Sequence, residues 1–434
     1  MTNPVTLPLW LFVLIVLFAT VTFASHFLFP SVRWFFRRRM ERAVARLNTR
    51  LQRPIEPFKL LRRYDLIQRL CYHPDVTQAI VDQARETGER EDVVFERARR
   101  YAREIVPSFS ALAYFGWGVR GARLLSNALY HVELHHQAPE RLAAIDPEAT
   151  VIFVMNHRSN MDYVLITHLA ADRSALSYAV GEWAQVWPLS RLIRAMGAYF
   201  IRRKSRNALY RQILRRYVQM ATNGGVTQAI FPEGGLSLDG ALQPPKLGLL
   251  SYMLDGLDKT EREIVFVPVA LNYDRVLEDK VLVNAHKSGT RRFDASITHV
   301  TIATLKQVWQ RITGRFRRFG TAAVCFGTPV SLADVPELAH RPEALADLLM
   351  TQIAGIVPIL PVPLVARLLQ AGPRSVAELV TAAARHCDTP EETVRAGLRP
   401  LIARGIVTPG EPHRITDHGR ELADFYANSI RHLG

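Results

Sequence analysis

The sequence predicts an α/β fold: a mixed, largely parallel sheet flanked by helices. An N-terminal transmembrane helix and a helical region precede it, and a C-terminal helical module with the element order of a winged helix follows. Three observations predict this. Short continuous apolar runs in the middle of the chain alternate with helix-length amphipathic segments, the pattern of strands covered on both faces. The flanking regions instead carry apolar residues at three to four residue intervals. The first thirty residues hold an apolar stretch of membrane-crossing length.

That stretch, LPLWLFVLIVLFATVTFASHFLF at 7 to 29, contains no acid, lysine or arginine. Roughly 20 such residues span a bilayer, so residues 1–30 read as a membrane anchor. Arg33, Arg37, Arg38, Arg39, Arg42, Arg46, Arg50 and Arg53 follow against a single Glu41. This basic flank places the remainder of the chain on the cytoplasmic side, as in a single-pass bacterial inner-membrane protein. A cleaved signal peptide would need a basic segment before the apolar run and a shorter run, and this sequence has neither.

Residues 31–130 read as helical. The core is expected at 131–335, with strands at VIFVM (151–155), ALSYAV (175–180), AYFI (198–201), TQAIF (227–231), IVFVPVAL (264–271), ITHVTIA (297–303) and TAAVCF (321–326). Residues 336–434 turn helical again, with helices near 376–385 and 390–404 and a turn-rich hairpin after them; closely spaced prolines at 361 and 363 mark a linker.

The chain has 434 residues, 48% of them hydrophobic, and a formal net charge of +15. This excludes an acidic disordered protein and points to an anionic partner: a phosphorylated substrate, a lipid surface or nucleic acid. The three cysteines, Cys71, Cys325 and Cys387, are far apart and lack metal-ligand spacing, so neither a disulfide nor a zinc site is expected.

The sharpest motif is NHRSNMD at 156–162, where a strand ends and a helix begins. Moving an acyl group onto an alcohol needs a base for the hydroxyl proton, and a neutral imidazole titrating near pH 7 suits that task. Asp162 beside His157 would fix the tautomer and stabilise the imidazolium. Ser159-x-x-Asp162 is equally the pattern of a capping box, in which Asp162 serves only the helix. Three further motifs close strands. GAYFIRRK (197–204) presents Arg202 and Arg203, which suit a bidentate phosphate contact, although more basic residues follow and a solvated basic edge fits as well. FPEGG (231–235) offers Glu233 and two glycines that allow close backbone approach, the alternative being a turn carboxylate. VPVALNYD (267–274) carries Pro268, which in a buried strand demands an edge, a bulge or a special turn.

These four motifs in this order resemble the four blocks of the glycerolipid acyltransferase superfamily, most of all its glycerol-3-phosphate acyltransferases. The resemblance extends over roughly 95–370, through LSNALYHVELHH (125–136), QPPKLGLL (243–250), FGTPVSL (326–332) and VPLVARLLQ (362–370). It implies acyl transfer to the sn-1 hydroxyl of glycerol 3-phosphate in phospholipid biosynthesis, with His157 as base and Asp162 as its partner. It further implies that Arg202 contacts the acceptor phosphate and Gly197 shapes the turn, with Arg203 and Lys204 nearby. Glu233 and Gly234 would hold the acceptor side, Lys246 would add a phosphate contact, and Pro268 would shape the acyl-donor side. No metal or bound cofactor is implied, since the thioester of acyl-CoA or acyl carrier protein supplies the activation.

One departure is informative. Relatives of this type carry arginines just after the glycines, and here Leu236 and Leu238 occupy those places, followed by Asp239. Losing two charge-assisted contacts at about 1.5–3 kcal/mol each would weaken acceptor binding by orders of magnitude unless compensated. A 1-acylglycerol 3-phosphate (lysophosphatidate) acceptor is therefore the second reading, and a catalytically inactive membrane scaffold the third. A membrane-tethered nucleic-acid-binding protein is disfavoured, because Arg and Lys number eight against eight Asp and Glu in 371–434 and a reading module needs a basic footprint. The basic amphipathic stretch at 305–320 suits a membrane surface or the acyl donor, and equally an ordinary covering helix.

Overall fold

The computed structural model describes residues 8–170, 174–181, 189–202, 207–255, 262–289 and 318–433, without the side chains at 23–34, 36, 37, 40, 170, 189 and 433. The expected strand at 297–303, and all but the end of the amphipathic stretch at 305–320, lie outside the described residues. The chain divides into two compact units, Met1–Ile55 and Glu56–Gly434.

The first unit is a helix, Leu9–Asn48. Many of its described apolar side chains, Leu9, Trp10, Phe12 and Phe18 among them, stand exposed. Among the described residues no helix is long and apolar enough to cross a membrane.

The second unit is built on one sheet of eight strands among the described residues: β1 (His131–His136), β2 (Thr150–Met155), β3 (Ser177–Gly181), β4 (Tyr199–Ile201), β5 (Gln228–Ile230), β6 (Ile264–Tyr273), β7 (Thr321–Phe326) and β8 (Val330–Ser331). The strand order is β1-β7-β6-β2-β5-β3-β4, with β8 also paired to β6. Neighbours from β6 to β4 run parallel, as do β1 and β7, while β7 and β8 run antiparallel to β6. This is the mixed, largely parallel, helix-flanked sheet expected. The sequence reading did not anticipate β1, whose HVELHH is polar and half exposed, or the two-residue β8.

Every residue of β2 and β6 is buried, which is why both read as unbroken apolar runs. Because β2, β3, β4, β5 and β6 are parallel, their carboxyl ends open on one edge of the sheet, where α/β proteins place their ligands. Pro268 lies inside β6, opposite Val154. On its other side β6 pairs with β8 at Val265 and Phe266 and with β7 from Val269 onward. Pro268 falls in the gap between these partners, so its missing N–H leaves no rung of the ladder unmade, and its carbonyl accepts from Gly327 N at 2.8 Å.

Residues 336–434 pack within the second unit. The helix Pro361–Leu369 is followed by Val376–Ala383, which opens on a Ser375/Glu378 capping box, and by Pro390–Ala403. Isolated antiparallel bridges join Arg374 to His413 and Val407 to Ile415, and the helix Arg420–Asn428 and a 3-10 turn, Arg431–Leu433, follow. Gly397 is where the helices Pro390–Ala403 and Pro361–Leu369 meet. A Cβ there would stand 2.4 Å from Pro361 O and 2.7 Å from Val365 Cγ2. Helix propensity favours Gly→Ala by about 1 kcal/mol, but forcing the helices apart costs typically 1–3 kcal/mol. Gly397→Ala is thus expected to destabilise the fold, lowering the thermal midpoint in a melt followed by circular dichroism; an unchanged or raised midpoint would show that the contact gives way freely.

Candidate active site

The turn after β2 is fully enclosed, with His157 2% exposed and Asp162 0%. His157 Nδ1 lies 2.8 Å from Asp162 Oδ2. The same oxygen accepts from Arg158 N at 2.7 Å and Ser159 N at 3.0 Å, and Asp162 Oδ1 accepts from Tyr273 Oη at 2.6 Å. The two readings of Asp162, partner of the imidazole and cap of the helix Met161–Ala170, therefore coexist in one carboxylate. Its neighbours are donors, so a buried negative charge is compensated on all sides. With Nδ1–H directed at Asp162, Nε2 is the imidazole nitrogen left to take up a proton.

Each strand end nearby contributes to holding this turn. Asn156 extends the β2–β6 pairing with its side chain: Nδ2 donates to Leu271 O at 3.0 Å and Oδ1 accepts from Leu271 N at 2.7 Å. Glu233, from the loop after β5, accepts from His157 N at 2.9 Å and from Gln243 N at 3.1 Å. Glu278, beyond β6, accepts from Ser159 Oγ at 2.7 Å and Asn160 N at 3.2 Å. Phe231 stacks on the imidazole with ring centroids 4.1 Å apart, and Tyr163 meets it edge-on at 5.4 Å. Burial pushes the Glu233 carboxyl up to about 7, against the pull of His157 N and of the Arg158 charge. Burial likewise raises Glu278 and pushes Asp274 up to about 6.

Gly234 adopts φ +66°, and Lys246 lies across it, so a Cβ would stand 2.7 Å from Lys246 Cδ. Lys246 N donates to Pro232 O at 2.7 Å, closing the loop. Arg202 sits at the end of β4, three strands from β2 in the sheet order. Its guanidinium makes a bidentate pair with Glu104, at 2.9 and 2.6 Å, and lies over the rings of Tyr101 and Tyr210. That pairing raises its pKa further. Arg203 and Lys204 lie outside the described residues. Leu236 and Leu238 are half-buried and pack against the core, so the places expected to carry cations are filled by apolar side chains.

The structure thus brings together His157, Asp162 and Glu233, sets Lys246 against Gly234, places Pro268 opposite Val154 of β2, and holds Arg202 on Glu104. Tyr273, Glu278, Phe231 and Arg158 were not singled out from sequence. Tyr273 and Arg158 lie inside quoted motifs, whereas nothing local marks Glu278, whose role depends on the chain returning after β6.

The Acyltransferase family model matches residues 131–272. The chain is 31% identical over 295 residues to the glycerol-3-phosphate acyltransferase of Pseudoalteromonas atlantica, covering 66% of this chain and 34% of the relative. It is 27% identical over 416 residues to that of Xanthomonas campestris pv. campestris, covering 89% of this chain and 45% of the relative. The chain therefore spans between about a third and a half of the length of these relatives. The crystal structure of the 1-acyl-sn-glycerophosphate (LPA) acyltransferase PlsC from Thermotoga maritima overlaps with TM-score 0.34 at 18% identity, over 64% of this chain and 92% of that one.

Glu233 provides a stability test with a definite sign. A carboxyl raised from 4.5 to about 7 binds its proton more tightly in the folded state, so its contribution is full below pH 4.5 and is lost as pH rises through 7. The loss is at most about 3 kcal/mol. Asp274 adds a slope of the same sign, so the wild type is compared with Glu233→Gln by denaturant titration at pH 5 and pH 7.5. The wild type should lose stability relative to the variant over this interval; parallel pH dependences would refute the assignment.

Proposed function

We propose, from the premise that residues 131–272 form a domain of the glycerolipid acyltransferase superfamily, that this protein transfers a fatty acyl group from acyl-CoA or acyl carrier protein to the sn-1 hydroxyl of glycerol 3-phosphate. The observation that carries the mechanism is the 2.8 Å contact of His157 Nδ1 with a carboxylate already held by Tyr273 and two backbone N–H groups. Nε2 removes the acceptor hydroxyl proton as the oxygen attacks the thioester carbonyl. The tetrahedral adduct collapses, the C–S bond breaks, and the proton held on Nε2 passes to the departing thiolate. Asp162 fixes the tautomer and stabilises the transient imidazolium. The thioester supplies the chemical activation, so these steps call on no metal or bound cofactor.

Glu233 and Gly234 are proposed to shape the acceptor side, with Lys246, Arg202 and Arg203 as phosphate contacts and Pro268 on the acyl-donor side. The exposed apolar side chains of the helix Leu9–Asn48, followed by Arg38, Arg39, Arg42 and Arg46, support anchoring in a bacterial inner membrane with the domain facing the cytoplasm. The order of helices and bridges in 361–428 supports a winged-helix-like module. A second reading, 1-acylglycerol 3-phosphate as acceptor, is favoured by Leu236 and Leu238: an apolar surface after Gly235 suits an acceptor that already carries an acyl chain.

Thioester consumption by the detergent-purified protein, with a palmitoyl donor and either acceptor, separates the readings. Turnover with glycerol 3-phosphate is expected; turnover only with the monoacylated acceptor would establish the second reading, and none with either would sink both. His157→Ala should abolish transfer with the fold retained, and a near-normal rate would end the mechanism. Asp162→Asn should lower kcat by about 10²-fold or more, whereas a lower thermal midpoint with unchanged kcat would leave Asp162 as a cap alone.

A further inference from the structure

The side chain next to His157 is a buried cation that the mechanism does not use. Arg158 is 2% exposed. Its Nη1 donates to Gly240 O, its guanidinium carbon lies 5.5 Å from the ring centroid of Phe425, and its Nε and Nη2 are buried without a hydrogen-bond partner among the described residues. Each unmet donor costs about 1–3 kcal/mol, and an apolar side chain of similar volume would be as stable or more so. The Glu233, Asp162 and Asp239 carboxylates offset its charge, and its reach spans the site: one side chain leaves the His157 turn, meets Gly240 O in the loop that carries Glu233, and ends over Phe425 of the helix Arg420–Asn428.

The C-terminal helix Arg420–Asn428 holds that loop independently. Asn428 Nδ2 donates to Asp239 O at 2.9 Å. Gly240, at φ +85°, sits so close that a Cβ would fall 1.8 Å from Phe425 O. The Asp239 side chain accepts from Ser237 Oγ, Ala241 N and Gln243 Nε2. Ser237 N in turn donates to His157 O at 3.1 Å. The same end of the chain reaches the segment after β6: Val276 N donates to Tyr426 Oη at 3.3 Å, and Asn272 Nδ2 lies 3.4 Å from Ser429 Oγ. Residues about 270 positions further along the chain thus touch the His157 turn, the loop after β5 and the segment after β6.

We infer that the helix Arg420–Asn428 is a positioning element of the active site, and that Phe425, Asn428 and Arg158 are positioning residues that hold the His157 turn and the Glu233 loop in register. The terminal module then belongs to the site without contacting substrate. A base must lie within hydrogen-bond reach of its proton, and a displacement of about 1 Å can cost on the order of 10²-fold in rate; the links from this helix to His157 are close enough to control such a shift.

The test uses the full chain in detergent with Phe425→Leu, Asn428→Ala and Arg158→Lys. Leu379→Ala, which empties a buried position of the helix Val376–Ala383 elsewhere in the module, is the comparator for stability loss alone. Amide hydrogen exchange by mass spectrometry reads the loops without reference to activity. Phe425→Leu and Asn428→Ala should speed exchange in 156–162 and 237–243, where His157 N and Gln243 N bond Glu233, and Leu379→Ala should not. In the transfer assay the first two variants should lose about tenfold in kcat with KM within twofold, and Arg158→Lys should retain more activity than Arg158→Met. Unchanged exchange in both loops would overturn the inference, as would faster exchange with full kcat. A loss confined to KM would overturn it too, by placing these residues against substrate. The activity arm rests on the acyl-transfer reading: an inactive wild type would defeat that reading, and the exchange arm would still decide the coupling.

Discussion

The Asp162 carboxylate is the constraint around which the site is organised. A carboxylate with no exposed surface is tolerable only if its oxygens are met by donors, and here the imidazole, two backbone N–H groups and the Tyr273 hydroxyl meet them. Those donors come from a tight turn and from the end of β6. Satisfying the charge therefore fixes the turn, the helix start and the alignment of β2 with β6 at once. The orientation of His157 follows from this electrostatic requirement together with the Phe231 ring stacked on the imidazole and the Tyr163 ring edge-on to it.

The loops around this centre are tied largely by carboxylates. Glu233 and Glu278 each accept from the His157 turn while being rooted in different segments. Both hold backbone N–H groups, which have less freedom than side chains, and Glu278 also accepts from the Ser159 hydroxyl. Parallel strands deliver the segments to a common edge, and the carboxylates close the remaining gaps. The cost is carried by Glu233, whose burial raises its pKa to about 7, leaving the loop sensitive to pH in the range where an imidazole base works.

After Gly235 the site differs from the pattern that its motifs resemble. Leu236 and Leu238 pack on the core, and Arg202 is held by Glu104 and two tyrosines. Positions 236 and 238 thus carry no charge, the Arg202 charge at the end of β4 is matched by Glu104, and Lys246 lies across Gly234. Under the proposed function these differences are where substrate preference would be decided, either by contacts from the β4 side or by an acceptor with its own apolar surface.

Much of the fold was legible because the central strands are buried on both faces: burial of β2 and β6 writes an unbroken apolar run into the sequence, and periodicity reads it. β1 escaped because its alternating histidines and glutamate lie on a half-exposed edge, and β8 because two residues carry no period. His157, Asp162 and Glu233 were legible for a related reason: chemistry restricts their types, and strand ends restrict their places. What the sequence could not determine is pairing across distance. That Glu278 meets Ser159, that Glu104 claims Arg202, and that Phe425 and Asn428 stand behind the His157 turn depend on how the sheet twists and the chain returns. Such contacts join residues with no shared local pattern, so only the tertiary structure decides them.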